Sequence, residues 1–245
     1  MSELYLRTAQ RNGQTIIEDQ SFTAPLKIAK PFYRDTHTEV MLMCASPGLL
    51  EGDRYHMRLE MGDNTRTAIT TQSYQKLFRT QTGFSAQDLD IAVGERAALA
   101  YLPLPVIPFA GSRFVGRTDV GLKRTSKLFF CDIVQAGRVG ELYAFSEYSS
   151  RVRISIEGRP VFLDHTRLAP AEAAVEGIGF FEGHACQGFL YLYGFDPPNL
   201  PECMHLQHAC SKAREGYSIR ILGNSGDGLH RFARALFSEC FPGQK

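Results

Sequence analysis

The sequence predicts a mainly β fold in which strands stack into a solenoid-like or sandwich-like body, with a few helices that are mostly C-terminal. One observation is the alternation of apolar and polar residues over 55–61, 88–93 and 151–156, which is typical of half-buried strands. Another is a recurring turn, with a constant interval of 32 residues between successive turns. The turns lie at Gly62, Gly94, Ser126 and Gly158.

Four strand–turn–strand units surround these turns, at 58–71, 90–103, 120–134 and 152–164. A strand pair of this size cannot bury a face alone, so such units are expected to pack on one another. The pattern therefore favours a stack of strands, and an ordinary antiparallel sandwich is the alternative.

Helical patterns are few and occur at 170–176, 203–215 and 229–240. In the last of these, apolar residues recur at spacings of three and four, which predicts a helix with one apolar stripe. The stripe packs on the body or, as the alternative, on a partner. Residues 217–222 are expected to add one strand before this helix.

The segment 196–201 contains three prolines and interrupts any strand or helix. We therefore expect a stacked β body over 1–195 and a smaller helical C-terminal part over 196–245, packed on the body. A single-domain organisation is the alternative, since 245 residues suit one large β domain.

Composition argues against several classes of partner. With 27 Lys and Arg against 26 Asp and Glu, the net charge is +1, so no bulk positive field favours nucleic acid. The longest uncharged stretch, 97–112, contains three prolines and does not predict a membrane span. The N-terminal residues lack the basic segment and apolar run of a secretory signal, so we expect a cytoplasmic protein.

The six cysteines contain no Cys-x-x-Cys pair, which favours free thiols over a disulfide framework. Cys203, His205, His208 and Cys210 are residue types that bind zinc or nickel. On the helix predicted there, the cysteines lie on one face and the histidines opposite, so only a loop would bring all four to one ion. The glycine-rich segment 223–228 is interpreted as a surface turn, because it lacks the lysine of a phosphate-binding loop.

Two carboxylates fall on apolar strand faces. Asp132 shares its alternate face with Leu128, Phe130 and Val134, and Asp164 shares its face with Phe162. A carboxylate among hydrocarbons is costly unless a cation, a metal ion or hydrogen-bond donors compensate for lost water.

Two interpretations follow for these carboxylates. One is a structural ion pair, with Arg138 or Arg167 as the partner. The other is a polar point in an internal passage for a cation. The sequence alone leaves both open.

Five ordered blocks carry a resemblance to a known family. They are Gly-Leu-Leu-Glu-Gly-Asp at 48–53, Thr-Thr-Gln-Ser-Tyr-Gln-Lys at 70–76, Tyr-Leu-Pro-Leu-Pro-Val-Ile-Pro-Phe at 101–109, Cys-Asp-Ile-Val-Gln-Ala-Gly-Arg at 131–138 with Gly-Glu at 140–141, and Arg-Pro-Val-Phe-Leu-Asp at 159–164. In these blocks the chain resembles the D-type urease accessory proteins, called the H type in some bacteria. The resemblance covers most of 20–168 and fades beyond about residue 180.

The resemblance implies a stack of strands with C-terminal helices and a non-catalytic role. It implies that the protein binds the F-type accessory protein, which recruits the G-type GTPase, and that the assembly, a dimer of heteromers, docks on urease apoprotein and helps to insert nickel. No tightly bound cofactor is implied, only transient nickel.

The resemblance also carries over four interior acidic positions, Asp53, Asp132, Glu141 and Asp164, as points of a nickel passage. The strand-face analysis reaches Asp132 and Asp164 independently. Some family members have Glu where this chain has Asp132. This difference keeps the charge and changes how far the carboxylate extends from the backbone.

Two other functions are alternatives to nickel delivery through the interior. In the first, the protein is a docking scaffold that nickel never enters, which the shortage of His and Cys in the matching blocks favours. In the second, it is an enzyme that uses Asp132 and Glu141 as an acid and a base. No hydrolase, zinc-protease or nucleotide-binding signature supports the second.

Overall fold

A computed structural model describes residues 1–241, which form two facing β-sheets and one α-helix, α1 (Gly226–Cys240). The first sheet has seven strands: β1 (Ser2–Arg11), β2 (Gln14–Phe22), β6 (Arg54–Met61), β9 (Ser85–Val93), β12 (Arg113–Leu122), β14 (Glu147–Ile156) and β15 (Arg159–Leu168). The second has eleven: β3 (Leu26–Ile28), β4 (Phe32–Tyr33), β5 (Thr38–Cys44), β7 (Arg66–Thr71), β8 (Gln75–Leu77), β10 (Ala98–Leu102), β11 (Val106–Pro108), β13 (Lys127–Gln135), β16 (Cys186–Tyr193), β17 (Leu206–Lys212) and β18 (Tyr217–Gly223). The mainly β prediction is confirmed.

The chain winds through both sheets in successive coils, and each coil contributes one long strand to each sheet; the short strands β8 and β11 add to the eleven-stranded sheet. In the seven-stranded sheet β6, β9 and β12 pair in parallel, and in the eleven-stranded sheet β7, β10 and β13 do the same. Turns join β6 to β7, β9 to β10 and β12 to β13. This arrangement is solenoid-like and confirms the predicted stack of strands.

The predicted constant interval of 32 residues holds for one coil only. Met61 lies opposite Val93, Val93 opposite Leu122, and Leu122 opposite Ile156, which gives intervals of 32, 29 and 34 residues. The prediction was wrong beyond the first interval because the strands, and the connections that lead from the eleven-stranded sheet back to the seven-stranded sheet, differ in length from coil to coil.

The fourth predicted unit is not another coil. β14 and β15 form an antiparallel hairpin within the seven-stranded sheet, so the chain turns back there and the stack ends. On the opposite side, β16 and β18 continue the eleven-stranded sheet in antiparallel fashion.

One of the three helix predictions is confirmed. α1 includes the predicted residues 229–240. Ser225 caps its N-terminus: the Ser225 hydroxyl accepts the Gly228 N–H at 3.2 Å and so satisfies a free donor of the first turn. The predicted helix at 170–176 is wrong, because this segment forms turns. The predicted helix at 203–215 is also wrong, because it contains β17, an edge strand that pairs with β18. The expected strand at 217–222 is β18.

Two cores hold the molecule together, one between the sheets and one between the eleven-stranded sheet and α1. β13 contributes to both, since Leu128, Phe130 and Val134 face the first core and Phe129, Cys131 and Ile133 the second. A strand buried on both faces is apolar throughout, as this one nearly is. Burial contributes roughly 1.5–3 kcal/mol for each large apolar side chain.

The apolar stripe of α1 packs on the body, as one of the two sequence interpretations had it. Its buried residues are Leu229, Phe232, Ala233, Leu236 and Phe237. The proline-rich segment 196–201 forms no strand or helix, and β16 before it pairs with β18 after it. Within residues 1–241, no helix combines the length and the apolar character that crossing a bilayer requires.

Candidate functional site

A cavity of about 110 Å³ lies between the two sheets. Aromatic side chains from both sheets form much of its wall, and one carboxylate interrupts that wall. These residues are Tyr55, Tyr101, Phe114, Phe130, Tyr148 and Asp132. The cavity is therefore a largely apolar space whose wall holds one carboxylate, Asp132, and one guanidinium, Arg117.

The cavity reaches the surface through a gap in the eleven-stranded sheet. β5 and β7 pair as far as Leu42 and Thr71, and the two chain segments meet again only at the bridge between Leu49 and Leu77. Between these points the exposed residues Pro47, Gln72 and Ser73 line the cavity.

Gly48 closes one side of this gap. A Cβ atom at Gly48 would lie 2.3 Å from the Lys76 carbonyl oxygen, so only glycine fits there. The Leu49 N–H donates to the same carbonyl oxygen at 2.8 Å and holds the two segments together.

Asp132 lies on the inner face of β13, as predicted. It is half-buried and lines the cavity. The Ser150 hydroxyl donates to its carboxylate at 3.0 Å, across the space between the sheets. Burial raises the pKa of Asp132 to about 6, an effect that Asp164 reinforces and that the Ser150 hydrogen bond and Arg220 oppose.

Asp164 lies on the inner face of β15 and is only 5% exposed. The Thr166 hydroxyl donates to one carboxylate oxygen at 3.2 Å, and the Arg220 guanidinium donates to the other. The carboxylate thus has both a counter-charge and a hydrogen bond, which offset the loss of water.

The expected ion pair is present at Asp164, but the predicted partners were wrong. Arg138 lies 3.7 Å from Glu141, and Arg167 pairs with Glu147 at 2.9 Å and Glu172 at 2.8 Å. Arg220 takes their place because β18 extends the eleven-stranded sheet next to β16, whose Phe189 and Tyr191 pack against Phe162 of β15.

These groups lie one after another across the interior, and we call them the polar row: Asp132, Ser150, Thr166, Asp164 and Arg220. Ser150, which bonds to Asp132, and Thr166, which bonds to Asp164, lie opposite each other in β14 and β15. The row begins at the cavity and ends at Arg220, whose side chain is 55% exposed. Its first four side chains present oxygen atoms, and the Arg220 guanidinium stands at its outer end.

The other two predicted site residues lie in turns and are not among the cavity-lining residues. The Asp53 carboxylate accepts the Leu50 N–H at 2.8 Å and closes the turn at 50–53. Glu141 lies in the turn after β13, with its carboxylate 3.7 Å from Arg138. Asp132 and Glu141, the acid and base of the enzyme alternative, therefore occupy different surroundings.

Sequence reasoning missed the role of Glu51, next to Asp53. Its carboxylate accepts the N–H groups of Gln81 at 2.8 Å, Thr82 at 3.0 Å and Gly83, and these bonds lower the pKa of Glu51. Glu51 therefore ties the loop after β5 to the loop before β9. The paired glycines around it signalled a sharp turn, but nothing in the sequence indicated its partner.

The cysteine–histidine cluster does not converge. The His208 ring packs on Phe232 at 5.1 Å between ring centres, and Cys210 is exposed on β17. Cys203 and His205 precede the strand and line a separate surface depression. Over the described residues 1–241, no three or more His, Cys, Asp or Glu side chains are grouped to hold a metal ion.

The surface turn predicted at 223–228 is shorter than expected: Gly223 ends β18, Gly226 begins α1, and only residues 224 and 225 join them. The Asn224 side-chain oxygen accepts the Ala185 N–H at 3.1 Å, and Tyr74 donates to Asp227. Its polar groups therefore organise the start of the helix.

Comparison with known proteins finds relatives that match most of this chain. A family model described as UreD urease accessory protein matches residues 1–242. A protein of Acetivibrio thermocellus named urease accessory protein UreD is 37% identical over 249 residues, which cover 96% of this chain and 95% of that protein. Urease accessory protein UreH of Helicobacter hepaticus is 39% identical over 232 residues, or 92% of each chain. UreH of Helicobacter pylori is 38% identical over 187 residues, 75% of this chain and 71% of that protein.

Proposed function

The chain belongs to the UreD family of urease accessory proteins, and from this membership we propose that it helps to deliver nickel to urease apoprotein through its own interior. In this proposal it acts without catalysis, bound to the F-type accessory protein and, through it, to the G-type GTPase. Nickel is the cargo in this proposal and does not remain bound to the chain.

The polar row is the observation that carries the proposal. A buried carboxylate that served stability alone would be replaced by hydrocarbon at little cost or at a gain. Among residues 1–241, no guanidinium or ammonium group forms an ion pair with Asp132, which adjoins a cavity that opens at the surface. An arriving divalent cation would supply the missing counter-charge.

Oxygen ligands suit a passage because they release borderline metals more readily than thiolates and imidazoles do. The row offers two carboxylates and two hydroxyls, spaced along one direction. Apolar walls around the cavity limit water and strengthen the attraction between the carboxylates and a cation. Since Asp132 has a pKa of about 6, a metal ion that binds it below that pH displaces a proton.

The test is nickel-dependent activation of urease by Asp132→Ala and Asp164→Ala, each co-produced with the F-type and G-type proteins and urease apoprotein. Asp88→Ala is the matched control, because Asp88 is exposed on the outer face of the seven-stranded sheet. We expect both interior variants to lose activation at limiting nickel and to co-purify with their partners, while the control behaves as wild type.

Two other outcomes would change the interpretation. Unchanged activation by both interior variants would remove the passage and leave a docking scaffold that nickel never enters. Loss of the complex, or of the fold, would assign both carboxylates to structure.

A further inference from the structure

The two residues of the ion pair at the outer end of the polar row differ strongly in their exposure to solvent. The Asp164 side chain is 5% exposed and the Arg220 side chain 55% exposed. The carboxylate therefore depends on its counter-charge, because it has lost most of its water, whereas the guanidinium keeps contact with solvent on its other side.

Arg220 is held by few contacts. Its guanidinium lies 5.2 Å from the centre of the Phe189 ring, a cation–π contact with a neighbouring strand. On its other side the residue in register is Ala209 of β17, which is small and exposed. On this side the Arg220 side chain therefore borders solvent.

The charge of Arg220 opposes a second cation at the same carboxylate. Like charges that share a site raise each other's free energy, and at an effective dielectric constant of about 20 this repulsion is substantial within a few Å. A metal ion and the guanidinium therefore compete for Asp164.

We propose that Arg220 is a displaceable counter-cation that closes the outer end of the polar row, so that nickel occupies Asp164 only when the guanidinium moves into solvent. Arg220 is a positioning residue in this scheme: it holds the Asp164 carboxylate in place when the row is empty, and it weakens metal retention so that nickel leaves. The inference rests on the proposed passage.

The experiment measures Ni²⁺ affinity of the full chain at about pH 7.5, by competition with a chromogenic chelator. Arg220→Gln keeps a hydrogen-bond donor for Asp164 and removes the charge, and Arg220→Lys keeps the charge. Arg153→Gln is the matched control, since Arg153 forms an ion pair with Asp119 on the outer face of the seven-stranded sheet at 2.5 Å.

We expect Arg220→Gln to bind Ni²⁺ about tenfold more tightly than wild type and to release it more slowly, because the competing charge is gone. Arg220→Lys and Arg153→Gln should stay close to wild type. If Arg220→Gln matches wild type while Asp164→Asn weakens binding, the passage stands and the role of Arg220 is refuted. If neither wild type nor any variant binds Ni²⁺, both proposals are refuted.

A second measurement needs no variant, in case Arg220→Gln does not fold. In wild type, an arginine-selective dicarbonyl reagent should modify Arg220 more extensively when Ni²⁺ is present, and Arg153 equally with and without it. Peptide mass spectrometry reads both sites. Unchanged modification of Arg220 at saturating Ni²⁺ would overturn the proposal.

Discussion

Replacing Asp132 by asparagine should stabilise the protein near neutral pH while it impairs nickel delivery. Asparagine has nearly the same size as aspartate, and its side-chain oxygen can still accept the Ser150 hydroxyl. The change therefore removes one buried negative charge and little else. Its effect on the free energy of unfolding follows from the pKa of Asp132.

That pKa is about 6 in the folded chain, against an ordinary value of 3.8. The folded chain thus holds the proton more tightly than the unfolded chain, so the contribution of Asp132 to stability is complete below pH 3.8 and falls as the pH rises to 6. Above pH 6 the carboxylate lowers the free energy of unfolding by about 3 kcal/mol. A neutral asparagine side chain at this position would not carry this cost.

The assay is urea unfolding of wild type and Asp132→Asn at about pH 4 and about pH 8, with Asp88→Asn as the exposed control. We expect the variant to be more stable by about 2–3 kcal/mol at the higher pH and nearly equal at the lower one. Nickel-dependent urease activation should fall in the same variant. A variant that is less stable at the higher pH, or whose stability difference does not change with pH, would refute the reasoning.

Two further predictions concern the loops that frame the cavity. Gly48→Ala should destabilise the protein by about 2 kcal/mol or more, because its Cβ would lie 2.3 Å from the Lys76 carbonyl oxygen, while Gly121→Ala, where the nearest atom is 3.8 Å away, should unfold close to the wild-type temperature. Glu51→Gln should loosen the loop at 81–83, which hydrogen exchange would show as faster exchange of those three amides; unchanged protection would contradict the anchoring role. Since hydrogen bonds lower the pKa of Glu51, wild type should lose the same protection as the pH falls through that lowered pKa.

The alternation of side chains along a strand was enough to predict that Asp132 and Asp164 face the interior. A strand has a side-chain period of two, so the apolar neighbours of Asp132 and Asp164 determine which face each carboxylate shares. Asp164 is buried, and the half-buried Asp132 lines the cavity between the sheets, so both carboxylates face inward as that argument required. The inference needed no knowledge of which strands are adjacent.

The partner of Asp164 could not be found in the same way. Arg220 is 56 residues further along the chain, on a strand that approaches only because β16, β18 and β17 extend one sheet beyond the other. Arg138 and Arg167 were nearer in sequence, and each is engaged with its own glutamate. Sequence distance was therefore a poor guide to an ion pair between sheets.

The wrong helix prediction at 203–215 had a signal against it. Gly216 lies at φ +83°, where a side chain is strained, and Ala213 donates its N–H to the Gly216 carbonyl oxygen at 3.0 Å to close a hairpin turn. A glycine between two short alternating segments is typical of a hairpin.

The position of α1 has a consequence for synthesis of the chain. Its side chains cover Phe129, Cys131 and Ile133, which are made long before the helix itself. Until α1 has left the ribosome, that side of the nascent sheet is exposed and available for association with other nascent chains. Slow translation of the codons for α1, or a stop codon before Gly226, should therefore cause the product to aggregate unless another molecule covers the exposed sheet.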